Sequence, residues 1–370
     1  MSLLRLLNTS KNIIYEVNDY IRGKNFWRYI RMEYTKLGNT GLDVSRICLG
    51  CMGFGEVQPE SPGSHQWVIN ENDSQKIIKK AIELGINFFD TANCYSAGTS
   101  EEYLGRALKN FNRDELVVAT KVFIPMREGP NGGGLSRKHI MVEIDNSLKR
   151  LGMDYIDLYI IHRWDYNTPI EETMTALHDI VKAGKTRYIG ASAMFAWQFQ
   201  KALYTSDKLG LSRFVSMQNH WNLIYREEER EMIPLCNDQK IACTPYSPLA
   251  SGKLARDWSE TTTRTQTDKV MVMKYGATED VDKPIVDRVS ELAVKHNVPM
   301  SHISTAWLLQ KDTVASPVIG ATKISHIEDA VASLQVKLTE DECSYLEELY
   351  VPHKVTGVLL PSTNWFSARK

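Results

Sequence analysis

The sequence predicts an α/β fold: one (β/α)8 TIM barrel with an N-terminal β-hairpin and C-terminal helices. Three observations lead there. Eight short apolar runs, at 46–49, 86–89, 116–120, 155–161, 187–191, 214–217, 241–244 and 316–319, alternate with stretches of helical period. No shift in composition divides the 370 residues into two units, and a hydrophobic content of 43% supplies one sizeable core. Three consecutive runs end in reactive side chains, at Asp90, Lys121 and His162, and the carboxyl ends of the strands are where such barrels carry their sites.

Residues 1–31 form an extension of a different character. They hold six basic residues (Arg5, Lys11, Arg22, Lys24, Arg28, Arg31) against Glu16 and Asp19, and lack the apolar stretch and cleavage site of a secretory signal. Ile13, Ile14, Tyr20, Phe26 and Trp27 lend the segment some amphipathic character, so a targeting or membrane-surface arm stands beside the blander reading of an incidental extension. The barrel is expected over 32–350 and a C-terminal tail over 351–370.

Tyr34 to Leu37 and Leu42 to Ser45, joined by Gly38-Asn39-Thr40-Gly41, read as the hairpin. The first apolar run then leads into Gly50-Cys51-Met52-Gly53-Phe54-Gly55. A glycine cluster after a strand suggests a phosphate cradle, but no helix signal follows until Asp73, so the strand–turn–helix context of a dinucleotide fingerprint is missing. The cluster is expected either to let backbone approach a ligand closely or to make a tight loop. Asp73 reads as the cap of a helix with Ile77, Ile78, Ala81 and Ile82 on one face. Ser136 opens a second helix running to Gly152, and Thr168-Pro169-Ile170-Glu171 reads as a capping box for a third running to Gly184. Residues 251–282, polar and threonine-rich, read as one long loop over a face of the barrel.

Basic and acidic residues nearly cancel, 44 against 45, which argues against a nucleic-acid partner. No run is long enough to span a membrane, so no membrane partner is expected. Cys48, Cys51, Cys94, Cys236, Cys243 and Cys343 are spread along the chain, with only Cys48 and Cys51 at C-x-x-C spacing, and several fall in apolar runs. Buried, reduced thiols in a cytoplasmic compartment, with no metal, are the expectation.

Beyond Asp90 the chain leaves the sheet in a loop bearing Tyr95, so an acid, a phenol, a lysine and a histidine converge on one mouth. Each alone has an ordinary structural explanation; together they suit proton donation to a carbonyl oxygen. An ammonium beside the phenol would lower its pKa, Asp90 would hold Lys121 charged and placed, and His162 would orient the substrate oxygen. None of these groups supplies a hydride, so a reduced nicotinamide has to bring it.

At these residues the chain resembles the aldo-keto reductase family. The matching stretches are LGNTGLDVSRICLGCMGFG (37–55), GINFFDTANCYSAGTSEEYLGRAL (85–108), VVATKV (117–122), LGMDYIDLYIIHRWD (151–165), GKTRYIGAS (184–192), SMQNHWNLI (216–224), TPYSPLASGKL (244–254) and PVIGATKISHIEDAV (317–331). HRWDYNTPIEE and YREEEREM look closest to the bacterial branch related to potassium-channel β subunits, in which oligomers are common. The resemblance implies a catalytic tetrad of Asp90, Tyr95, Lys121 and His162. It implies NADP(H) as cofactor, with Met52 and Gly53 beside the nicotinamide arm, Ser192 and Gln218 on the carboxamide, and Tyr246 stacked on the ring. Ser247, Leu249 and Ser251 would follow the pyrophosphate. Gly320, Thr322 and Lys323 would hold the 2′-phosphate, with His326 and Asp329 near adenine. A cation at Lys323 favours NADPH over NADH, although many relatives have arginine there, which grips phosphate bidentately. Arg264 is a candidate second contact, and Thr261 to Thr267 a candidate lid.

For the small-molecule carbonyl substrate the signals are thinner. Trp67, Trp164, Trp221 and Tyr225 are candidate pocket walls, Arg163 and Arg226 candidate partners for a substrate anion, and Phe195, Trp197 and Phe199 read as packing. A second class of function, an NADP-binding subunit that senses redox state for a partner with slow turnover, is compatible with the same tetrad.

Overall fold

A computed structural model of the chain describes residues 32–361 apart from 59, 60, 62 and 261; the N-terminal extension and residues 362–370 lie outside the described residues. Strand β1 (Tyr34–Lys36) pairs antiparallel with β2 (Asp43–Ser45), Tyr34 opposite Ser45, in the expected hairpin. The turn closes with the Leu37 amide donating to Leu42 O and the Thr40 hydroxyl to Leu37 O. Leu37 and Val44 are fully buried, because they plug the amino-terminal end of the barrel.

Eight parallel strands follow: β3 (Cys48–Gly50), β4 (Phe88–Asp90), β5 (Val117–Val122), β6 (Ile156–Ile161), β7 (Thr186–Ser192), β8 (Phe214–Gln218), β9 (Ala242–Cys243) and β10 (Val318–Gly320). They lie side by side in chain order, with β10 alongside β3. The ring closes between β9 and the segment entering β10, where the Cys243 amide donates to Thr313 O and the Val318 amide to Pro245 O, both at 2.8 Å. Each strand falls on one of the eight apolar runs. Side chains alternate between two cores. Cys48, Phe88, Val117, Ala119, Leu158, Ile160 and Val318 fill the lumen above Leu37 and Val44, whereas Leu49, Phe89, Val118, Tyr159 and Ile161 face the helices.

The helices are α1 (Glu71–Glu83), α2 (Thr99–Leu108), α3 (Arg137–Leu151), α4 (Ile170–Lys182), α5 (Ala196–Leu209) and α6 (Met232–Asp238). Beyond β9 come α7 (Thr263–Thr267), α8 (Lys269–Tyr275), α9 (Glu279–His296), α10 (Met300–Leu309), α11 (Ile324–Ala332) and α12 (Glu340–Glu347). Ser136 caps α3 as expected, with Gly152 left-handed past its end. Two other caps differ. Asn70, not Asp73, caps α1, its side chain accepting from the Asp73 amide; Asp73 stands in the first turn, where a carboxylate favours the helix dipole. Pro169 occupies the cap position of α4 and has no polar side-chain atom to cap with, while the Thr168 hydroxyl donates to Asp165.

The long loop expected over 251–282 is also corrected. It contains α7, α8 and the start of α9; Asp268 caps α8 by accepting from the amides of Val270 and Met271. After α12 the chain returns across the carboxyl-terminal face of the barrel. There Tyr166 Oη donates to Leu359 O at 3.0 Å, the Thr356 amide donates to Tyr225 Oη at 3.0 Å, and His353 pairs with buried Asp282 at 2.8 Å. No helix among the described residues is long and apolar enough to cross a membrane.

Helices α2 and α3 touch through Gly105, where an added Cβ would lie 2.0 Å from the Leu151 carbonyl oxygen. Gly105→Ala therefore forces the helices apart and lowers unfolding free energy by about 2 kcal/mol, measurable by chemical denaturation. An unchanged midpoint would mean that the helices part without cost.

Candidate active site

The alternation that fills the lumen also selects what stands above it. Phe88 and Asp90 share a face, as do Ala119 and Lys121; Leu158 and Ile160 are continued by residue 162, Gly190 by Ser192, and Ser216 by Gln218. One layer beyond the apolar plug, five polar side chains therefore point into the mouth. Strand pairing fixes their heights: Asp90 lies opposite Ala119, and Lys121 opposite Ile160. The His162 amide extends the ladder by donating to Val122 O at 2.9 Å.

Lys121 is fully buried. Its ammonium donates to Asp90 Oδ1 at 2.5 Å, to Thr91 O at 2.8 Å and to Tyr95 Oη at 3.2 Å. Burial disfavours that charge, but Asp90 and then Tyr95 outweigh it, and the Lys121 pKa is raised. Asp90 is held from its other oxygen by the Gln218 amide at 2.9 Å, and the Ser192 hydroxyl donates to Gln218 O at 3.1 Å.

Tyr95 is delivered by a loop of unusual backbone. Ser96 and Ala97 both have positive φ (47° and 56°), followed by Gly98 at 100°. Such conformations in non-glycine residues cost of order 1–2 kcal/mol each. They reverse the chain so that the phenol turns back toward Lys121. Burial pushes the phenol up to about 12, with Lys121 acting in the opposite direction. The expected net lowering by Lys121 is thus reversed, since desolvation is the larger effect. His162 meets the Tyr95 ring edge-on, centroids 5.8 Å apart, and burial, Arg163 and Lys121 in that order hold its pKa well below the usual value, so it is neutral.

Beyond this cluster the line of expected cofactor positions runs across the ends of β3, β9 and β10. Met52 is half-buried at its start. Gly53 is buried beside the Trp67 ring and the Thr322 methyl, which an added Cβ would meet at 3.2 and 3.4 Å. Tyr246 is bridged to both His220 and Val318, and His220 stacks parallel to it at 5.3 Å. Ser247 and Ser251 have positive φ (54° and 59°), making a tight turn around Leu249. Farther along, Gly320 is exposed at the end of β10, and exposed Lys323 stands at the start of α11. The Thr322 amide donates to His326 Nδ1 at 3.3 Å, and Asp329 lies 3.5 Å from His302 Nε2.

Within the segment expected as a lid, of which residue 261 lies outside the described residues, Arg264 reaches these positions. Arg264 stacks 4.3 Å above the Trp67 ring, pairs with Asp268 at 2.9 Å and donates to Ser251 Oγ at 3.3 Å, so it bridges opposite sides of the mouth. The sequence reading missed Lys274 on α8, whose ammonium lies 4.4 Å from the Tyr246 ring centroid. Burial, then Arg163 and Arg264, lower its pKa to about 7. The signal was present in Asp268 as a cap, with Met271 and Tyr275 buried one turn apart.

Several expected pocket walls lie elsewhere. Trp221 is 2% exposed, donates to Glu229 and packs edge-on against Trp307; Tyr225 is 1% exposed and stacks on His220. Arg226 is committed to Glu229 and Glu347. Trp164 and Trp67 remain near the mouth, and Arg163 donates to His162 O at 2.6 Å. Phe199 is packed as expected, but Trp197 is 56% exposed, its ring 6.1 Å from that of Trp164.

Comparison with known proteins agrees with this architecture. Residues 46–351 match the model of the aldo/keto reductase family. Versiconal hemiacetal acetate reductase of Aspergillus parasiticus is 45% identical, over 88% of this chain and 98% of its own length. Aldo-keto reductases of Fusarium vanettenii and Metarhizium robertsii are 42% and 40% identical, each over 88% of this chain and 93% of their own. With a closed barrel and relatives matched almost end to end, the chain belongs to the aldo/keto reductase family.

Proposed function

We propose that the protein reduces aldehydes or ketones to alcohols with NADPH, Tyr95 giving the proton. The observation that supports this most is the run of contacts from Asp90 through the buried Lys121 ammonium to the Tyr95 hydroxyl, with a neutral imidazole facing the same phenol. The positions across the ends of β3, β9 and β10 suit a nicotinamide dinucleotide. The turn at Ser247 and Ser251 offers amides and hydroxyls, and Lys323 at the N-terminus of α11 offers a charge to a phosphate monoester. Gln218 gives its N–H to Asp90, leaving the amide oxygen to accept from a carboxamide. When bound, the reduced nicotinamide supplies the hydride.

The protein's own residues handle the proton. His162 donates to the carbonyl oxygen and fixes its position, and Trp67, Trp164 and the segment carrying Arg264 limit water. As the oxygen gains charge it becomes a stronger base than phenolate, so the Tyr95 proton moves to it despite the high pKa of the free site. The phenolate left behind is stabilised by Lys121, whose charge Asp90 maintains.

Tyr95→Phe is expected to lower kcat by about 100- to 10,000-fold while NADPH still binds, read by NADPH absorbance with a panel of aldehydes and by cofactor fluorescence. Tight NADPH binding with negligible turnover of the panel by the unaltered protein would favour a redox-sensing subunit instead.

His162 is neutral and Tyr95 protonated, so carbonyl reduction is expected to be flat in kcat/KM from about pH 6 to 9. A loss of activity below pH 7 with an imidazole-like midpoint would contradict the neutral histidine.

Lys323→Ala is expected to weaken NADPH about tenfold, the scale of one charge-assisted bond, and NADH hardly at all. Equal losses for both would remove Lys323 from the 2′-phosphate.

A further inference from the structure

Cys94 precedes Tyr95 and has no part in the steps above. Its sulfur lies 3.9 Å from His162 Nδ1, and among the described residues it is the one hydrogen-bonding group within reach of that nitrogen. The residue is 1% exposed. Burial pushes the thiol up to about 12, so it keeps its proton and is a donor. The loop holds it in place: the Ala97 amide donates to Cys94 O at 3.1 Å, and Gly63 packs so tightly there that an added Cβ would sit 2.1 Å from the same oxygen.

A neutral imidazole carries one N–H. If it is on Nδ1, Nε2 presents a lone pair, which repels a carbonyl oxygen instead of stabilising it. The nitrogen that bears the proton is set by what the other nitrogen meets. We propose that Cys94 is a positioning residue whose thiol donates to His162 Nδ1 and so keeps the imidazole proton on Nε2, aimed at the substrate's carbonyl oxygen. This rests on the reading of His162 as the carbonyl's partner. One loop would then place both donors to that oxygen, the phenol of Tyr95 directly and the imidazole through its neighbour.

The test is the nitrogen spectrum of protein labelled with 15N-histidine, His162 being assigned among the nine histidines by its loss in His162→Gln. It is paired with reduction of 4-nitrobenzaldehyde by NADPH. The unaltered protein should show the Nε2–H form. In Cys94→Ala the Nδ1–H form should appear and kcat fall about tenfold, the scale typical of groups that orient a reacting ligand, with NADPH affinity unchanged. An Nδ1–H form in the unaltered protein would overturn the proposal, as would a Cys94→Ala protein that loses activity with its tautomer unchanged or changes tautomer at full activity. Should the unaltered protein reduce no aldehyde, the reductase reading falls, and the spectra alone still decide whether Cys94 sets the tautomer.

Discussion

A fully buried ammonium is the constraint on which the rest of this structure depends. Transferring a lysine charge out of water costs several kcal/mol even after relaxation, and Lys121 has no exposure at all. It stays charged because three oxygens surround it: a carboxylate, a backbone carbonyl and a phenol. All three lie within residues 90–95, at the end of β4 and in the loop after it, so the barrel must set that stretch in register with Lys121 on β5. Asp90 must also point at Lys121 and nowhere else, which the Gln218 amide ensures from the far side of the lumen. The strain at Ser96 and Ala97 falls immediately after the phenol, where the loop turns into α2.

Much of this was legible in the sequence because period-two alternation is a strict rule. Once Phe88-Phe89-Asp90, Val118 to Lys121 and Tyr159 to His162 are read as strands of one parallel barrel, geometry leaves their last inward residues little freedom. All eight apolar runs became strands for the same reason, buried on both faces. The expected cofactor positions were harder. Their chemistry lies in backbone conformation, as in the positive φ at Ser247 and Ser251, and only the family resemblance pointed to them.

What the sequence concealed involved competition between partners. Thr168 has the pattern of a cap, but the cap position falls one residue later, at Pro169, and the Thr168 hydroxyl is turned to Asp165 three residues earlier. Trp221 and Arg226 sit beside mouth residues in the chain, yet glutamates at 229 and 347 draw them into the body of the protein. Composition masked the helices between 251 and 282, because short helices capped by Asp268 and pinned by two buried side chains need little hydrophobic content. Desolvation was the remaining surprise: proximity to Lys121 is visible in a motif, whereas the burial that outweighs it at Tyr95 is a property of the whole mouth.

The same reasoning explains the electrostatics of the expected cofactor positions. Arg163, Arg264 and Lys274 lie close together there, and among the described residues only Arg264 of the three has a carboxylate partner, Asp268. Lys274 illustrates the result: its nearest feature is an aromatic face, a weak substitute for an anion, and its pKa falls as burial and the two arginines act on it. A folded chain tolerates such an excess of like charge where something else benefits from it. An anionic dinucleotide would supply the missing negative charge, and each cation it meets would regain the stabilisation lost to burial. The cost paid at Lys274 in the free protein is thus the physical counterpart of affinity in the bound one. On the proposed reading Arg264, within the candidate lid, would bring charge as well as cover, and Lys274 on α8 would add to that charge.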